Sequence, residues 1–147
     1  MTAQHGGEED ESLPEAFWGV ARQLRHLSRE TLQPWEITPS QSRAIDVLTR
    51  HGVMRLSELA ERLRIVPRST TEVVDSLQER GLVERRPDPG DRRATLVALT
   101  EEGAKVAVAI RSARDAEAER FFGGLGEPDR DHLARILSQL RRQSHAG

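Results

Sequence analysis

Cysteine is absent from the 147 residues, which excludes disulfides, thiolate metal sites and thiol-based redox sensing together. Lysine is nearly absent. Lys105 is the only one, so almost all the positive charge is arginine. Arginine suits planar, multidentate contacts to phosphates and base edges, although codon bias in a GC-rich genome gives the same excess. No apolar run approaches the roughly 18 residues of a membrane span. The N-terminus carries Glu8, Glu9, Asp10 and Glu11 without a basic residue, the opposite of a signal peptide's first region. The expected compartment is therefore the cytoplasm, with no membrane partner. Enzyme signatures are missing too: there is no Gly-rich phosphate loop, nucleophile elbow or His-Glu zinc pattern. Asp129, Asp131 and His132 read as charges at the start of a helix. His5, His26, His51, His132 and His145 form no ligand-spaced pair on one helix, so neither a metal nor a cofactor is expected.

What is present is mostly helical patterning. Hydrophobic residues make up 36% of the chain, modest for one isolated core, and burial against a second copy would add stability. The net charge is −2, but with the four N-terminal acids set aside the remainder is +2. Residues 1–11 read as a disordered acidic tail. Residues 12–36 carry Leu13, Phe17, Val20, Ala21, Leu24, Leu27, Thr31 and Leu32 at helical steps, ended by Pro34. Residues 37–100 open with the capping box Thr38-Pro39-Ser40-Gln41 and a helix through Ala44, Ile45, Val47 and Leu48 to Gly52. An extended Met54-Arg55-Leu56 follows. Ser57 is the expected cap of a third helix, 58–64, and a fourth runs from Pro67 to Arg80, closed by Gly81. Residues 82–86 and 95–99 read as two strands around a charged turn, 87–94. Within 101–147, Thr100 caps a long helix that Gly123-Gly124 breaks, and a last helix has the apolar stripe Leu133, Ile136, Leu137 and Leu140.

Two short helices joined by a tight turn and followed by a hairpin make a winged helix-turn-helix. The expected class is mainly α with a small β wing, plus N- and C-terminal dimerisation helices. Residues at the start of the second helix of such a motif face base edges in the major groove. Arg64, Pro67, Arg68, Ser69, Thr70 and Thr71 surround that start. Arg68 suits guanine O6 and N7 or a phosphate, and the three hydroxyls suit base edges and phosphate oxygens, although at least one of them is equally suited to capping. The wing offers Arg85, Arg86, Arg92 and Arg93. Arg92 and Arg93 sit beside the turn, where arginine is attracted into a narrow minor groove. Asp91 is expected to pair with Arg93 and fix its direction. Arg85 and Arg86 have a plainer reading as charges that protect an edge strand.

The run Leu56-Ser57-Glu58-Leu59-Ala60, the stretch Val73 to Arg86, and Asp88-Pro89-Gly90-Asp91-Arg92-Arg93 followed by Val97-Ala98-Leu99-Thr100-Glu101-Glu102-Gly103 resemble the MarR family of transcriptional regulators. The resemblance covers nearly the whole chain after the acidic tail. It implies a triangular homodimer joined by the terminal helices, and a palindromic double-stranded DNA operator with the fourth helix in the major groove. It also implies that Asp91 and Arg93 are the family's wing Asp-x-Arg, with Arg93 in the minor groove. Many members are repressors released by small phenolic or anionic effectors.

Dimerisation has support from the pattern itself. Leu13, Phe17, Val20 and Leu24, with Leu133, Ile136, Leu137 and Leu140, would otherwise face water. For an effector pocket, Trp18, Arg22, His26, Trp35, His51 and Met54 are candidates by position, with Arg22 as the partner of a carboxylate. The alternative function is a winged helix used for protein contact without sequence-specific DNA binding. A non-specific DNA-architectural role is a third, and the near-neutral charge argues against it.

Overall fold

The computed structural model describes residues 10–144, so His5, His145 and residues 1–9 of the acidic tail lie outside the described part. Contacts divide the chain at Arg111/Ser112 into two compact units.

In the first unit, α1 spans Leu13–Leu32, with the Ser12 hydroxyl accepting the Glu15 amide at 3.3 Å. A 3-10 turn, Gln33–Trp35, follows, and Glu36 turns the chain at φ 53°. Helix α2, Pro39–His51, has the expected capping box: the Gln41 amide donates to Thr38 Oγ1 at 3.2 Å, and the Thr38 amide donates to Gln41 Oε1 at 3.0 Å. Strand β1 is Met54–Arg55, α3 is Leu56–Leu63, and α4 is Pro67–Glu79. Strands β2, Val83–Asp88, and β3, Asp91–Leu99, complete a sheet of order β1-β3-β2, antiparallel throughout. Ile45, Leu59, Leu63, Val74, Leu77, Val83 and Val97 form the centre of the core between the helices and the sheet. The first turns of α5, Glu101–Phe122, close over it with Ile110.

Two boundaries differ from the sequence reading. The third helix starts at Leu56, so Ser57 lies inside it rather than capping it. Arg55 pairs with Leu96 in the sheet and is held extended, and the helix begins directly where the ladder ends. The wing strands are also longer than 82–86 and 95–99. They reach Asp88 and Asp91, leaving only Pro89 and Gly90 between them. The residues that extend the strands, Pro87, Asp88 and Asp91 to Ala94, are mostly charged or turn-forming, so no apolar alternation marks the extension in the sequence.

Local chemistry sets the junctions of the wing. Gly81, at φ 75°, closes α4: its amide bonds the Gln78 carbonyl at 2.9 Å and the Leu82 amide bonds the Leu77 carbonyl at 2.9 Å. The Thr100 hydroxyl accepts the Gly103 amide at 3.0 Å as the expected cap of α5 and donates to the Gly81 carbonyl at 2.6 Å. A side chain at Gly103 is impossible without movement, because its Cβ would fall 1.9 Å from the Leu82 carbonyl oxygen.

The second unit contains the end of α5 and α6, Glu127–Ser144. Phe121 and Phe122 pack edge to face at 5.1 Å. Phe122, Arg130, Leu133, Ala134 and Leu137 line an open cleft of about 280 Å³. Acids at Glu127 and Asp129 and bases at Arg141 and Arg142 match the α6 dipole.

Candidate nucleic-acid interface

The turn between α3 and α4 is made by Arg64. It takes the left-handed conformation, φ 56°, and its amide bonds the Glu61 carbonyl at 3.2 Å while the Ile65 amide bonds the Ala60 carbonyl at 3.3 Å. This is a Schellman closure with arginine where glycine is usual. An L-residue there costs roughly 1–2 kcal/mol. Arg43 on α2 supports the same helix end, donating from Nη2 to the Leu63 carbonyl at 2.6 Å. The chain reverses in three residues and α4 starts at Pro67.

No side chain caps α4, whose N-cap is Val66. An apolar residue there forgoes about 1 kcal/mol relative to Ser or Asp, and it leaves the first amides of the helix available to an anion such as a phosphate. Ser69, Thr70 and Thr71 are therefore inside the helix, not caps. Their hydroxyls differ in what they face. Thr70 is fully buried and its hydroxyl donates to the Val66 carbonyl at 3.3 Å, so it anchors the helix and is withdrawn from the set of DNA-contacting side chains. The spacing of Thr70, Val74 and Leu77 along the inward face carried that signal. Thr71 donates to the Pro67 carbonyl at 3.0 Å, and Ser69 is half-buried at the surface. Arg64 and Arg68 are exposed, and neither guanidinium is engaged among the described residues.

Polar contacts fix the angle of α4. Gln41, already part of the capping box of α2, donates from Nε2 to Ser76 Oγ at 2.8 Å, and Ser76 donates to the Val73 carbonyl at 2.9 Å. At the far end of α4, Arg80 donates to the Glu36 carbonyl at 2.8 Å and to the Trp35 carbonyl. Neither Gln41–Ser76 nor Arg80 was readable from local sequence, because both contacts span more than 30 residues.

In the wing, register separates the four arginines. Pro87 lies opposite Thr95 and Asp88 opposite Asp91, so Arg92, Arg93 and Ala94 bulge out of the ladder. Arg92 and Arg93 are exposed there, and neither guanidinium has a partner among the described residues. Arg85 is different: its guanidinium is bonded to Asp75 and Gln78 on α4, where it braces the wing against that helix. Arg86 is paired with Glu84, Nε to Oε1 at 2.7 Å. Asp91 acts on Arg93 through the main chain. Its Oδ1 accepts the Arg93 amide at 2.9 Å, and the expected carboxylate–guanidinium pair is not formed. A carboxylate two residues back thus shapes the bulge and leaves the arginine's charge free.

The tip is held by Asp88. Its carboxylate accepts the Gly90 amide at 2.8 Å and the Arg55 Nε at 2.8 Å. The Gly90 amide is the largest influence and lowers its pKa below the ordinary carboxylate value; desolvation opposes it, and the hydrogen bond and charge of the Arg55 guanidinium lower it further. Arg55, Ser57, Asp91, Arg93 and Thr95 line a cleft of about 300 Å³ beneath the wing.

The remaining candidates are dispersed. On α1, Leu13, Phe17, Trp18 and Val20 are exposed, and Leu24 is half-buried. On α6, Ile136 and Leu140 are exposed, and Leu133 and Leu137 half-buried. Of the effector candidates, Trp18 meets the Phe17 ring edge-on at 5.9 Å, Arg22 is exposed, and His26 lies 3.1 Å from Glu30. His51 is exposed beside Arg62, and Trp35 packs against the core. Met54 is a core residue, buried because β1 turns it inward opposite Val97, and is removed from the pocket set.

The arrangement matches known regulators. A model described as "MarR family" matches residues 37–95. The chain is 30% identical over 111 residues to the HTH-type transcriptional repressor MdtR of Bacillus subtilis, covering 76% of this chain and 72% of that protein. It is 37% identical over 118 residues to an HTH-type transcriptional regulator of Mycobacterium tuberculosis, covering 80% of each. Among solved structures, wild-type apo MarR from E. coli has a TM-score of 0.80 at 25% identity, covering 90% of this chain and 98% of that one. RV1404 from Mycobacterium tuberculosis has a TM-score of 0.79 at 29% identity, covering 90% and 92%. With a free-arginine wing and a braced second helix on one helix-turn-helix frame, the chain belongs to the MarR family of winged helix-turn-helix transcriptional regulators.

Proposed function

We propose that the protein is a sequence-specific repressor that binds a palindromic operator as a homodimer and is released by a small phenolic or anionic effector. In this reading, α4 enters the major groove with Arg68, Ser69 and Thr71 toward base edges and phosphates. Arg64 and the uncapped start of α4 take the backbone. Arg92 and Arg93 reach the adjacent minor groove. Thr70 and Arg85 hold this surface in place and touch no DNA, and Arg86 contributes charge while paired to Glu84.

The observation that carries the reading is the wing bulge. It presents two arginines whose guanidinium groups have no partner among the described residues, on a hairpin whose other charges are spent on fixing its shape. The amphipathic stripes of α1 and α6 support the homodimer, and the repressor MdtR is a relative by sequence. The effector rests on the family resemblance alone. The test compares Arg93→Ala with Arg85→Ala on an operator duplex. Arg93→Ala weakens binding by about 1–3 kcal/mol, as for loss of a specific base-edge contact, with unchanged circular dichroism and subunit assembly. Arg85→Ala lowers the thermal stability of the wing as well as affinity. Unchanged affinity of Arg93→Ala contradicts the assignment.

A further inference from the structure

Val66 is 63% exposed at the N-cap of α4, between half-buried Ile65 and exposed Pro67. Folding gains little from an apolar side chain in water at that position, and a hydroxyl or carboxylate there would have capped the helix. Its backbone is nevertheless held tightly. The Val66 carbonyl accepts the Thr70 amide at 3.1 Å and the Thr70 hydroxyl at 3.3 Å, and Thr70 is itself fully buried. A β-branched side chain on a fixed backbone has restricted χ1 freedom. Val66 is therefore a rigid, exposed apolar side chain in the same short segment as the polar Arg64, Arg68 and Ser69. In the major groove only thymine presents an apolar group, its C5-methyl.

We propose that Val66 is a specificity-determining residue that packs its isopropyl group against a thymine C5-methyl in each half-site. The proposal rests on the DNA-binding reading above and adds a base preference to it.

The experiment uses the full-length protein and operator duplexes enriched from a random-sequence pool. Each thymine of a half-site is replaced in turn by uracil, which removes only the methyl group. One thymine per half-site is expected to show a loss of about fourfold in affinity, the effect of one buried methyl. In Val66→Ala that loss disappears at the same thymine, while the contributions of the other positions stay as they were. Circular dichroism checks the variant, whose changed side chain is exposed. No methyl-sensitive thymine, or a uracil penalty that persists in Val66→Ala, overturns the assignment of Val66. A pool that yields no preferred sequence at all overturns the DNA-binding reading and this proposal together, and so is distinguishable from failure of Val66 alone.

Discussion

The winged core and the terminal helices use the same kind of amphipathic pattern with opposite outcomes. In the core, Leu59, Val74, Leu77 and Val97 are fully shielded within one chain. Helix α6 has no buried residue, and in α1 only Leu32 is buried. Leu13 is 85% exposed, Trp18 56% and Leu140 49%. The difference separates a part that shields its apolar face within one chain from a part that leaves it exposed. An exposed apolar stripe of this kind is a common mark of an interaction surface, which is the physical ground for proposing a homodimer.

The strongest way to break the comparison is to make the exposed stripe polar. Ile136→Asp with Leu140→Asp is expected to weaken self-association by at least about 3 kcal/mol, from the value of burying two large apolar side chains. Sedimentation equilibrium reads the assembly, and circular dichroism should still report a folded chain. An unaltered dimer would remove α6 from the interface. Inside the core, Gly103→Ala drives a methyl into the Leu82 carbonyl and should destabilise folding by about 1–3 kcal/mol or more. A thermal melt measures this, and an unshifted midpoint would contradict the close approach of α5 to the start of the wing. A smaller effect of opposite sign is expected for Arg64→Gly. Relief of the left-handed backbone, less the entropy cost of glycine, should stabilise the fold by roughly 0.5–1 kcal/mol. The same change should lower DNA affinity, because it deletes an unengaged guanidinium. Greater stability with unchanged affinity would confine Arg64 to the turn.

The smallest expected effect is one of pH on the wing tip. Asp88 has a depressed folded pKa, so its contribution is present above the unfolded carboxylate value near pH ~3.9. That contribution is lost as pH falls through the lower folded value. The Gly90 amide resonance should follow this titration, and Arg55→Gln should move its midpoint up by a small amount, since the Gly90 amide is the larger cause. A midpoint at the ordinary carboxylate value in the native protein would show that the Asp88 contacts do not persist in solution.

The parts of the fold that announced themselves are those fixed by neighbours in sequence. Thr38 with Gln41, Gly81, and Thr100 with Gly103 each close or open a helix through bonds spanning a few residues, and each is where the pattern places it. Junctions set by distant pairing were not legible. Arg55 is fixed by strand pairing with Leu96, which displaces the start of α3 from Ser57. Arg64 replaces the usual glycine signal at the helix-turn-helix corner, so the closure there is visible only in the backbone. In the candidate site, arginine-rich segments showed where charge lies but not which charges are already spent. Arg85 is bonded across to α4, and Arg92 and Arg93 are left free by a bulge that depends on register.

The most direct measurement is a fluorescence-anisotropy titration of the intact protein on duplex DNA from upstream of its own gene, against a scrambled duplex at the same moderate salt. Preferential binding to the upstream duplex, saturating at two subunits per duplex, is the expected result. Equal weak binding to both duplexes, and to any duplex enriched from a random pool, would contradict sequence-specific recognition by this winged helix.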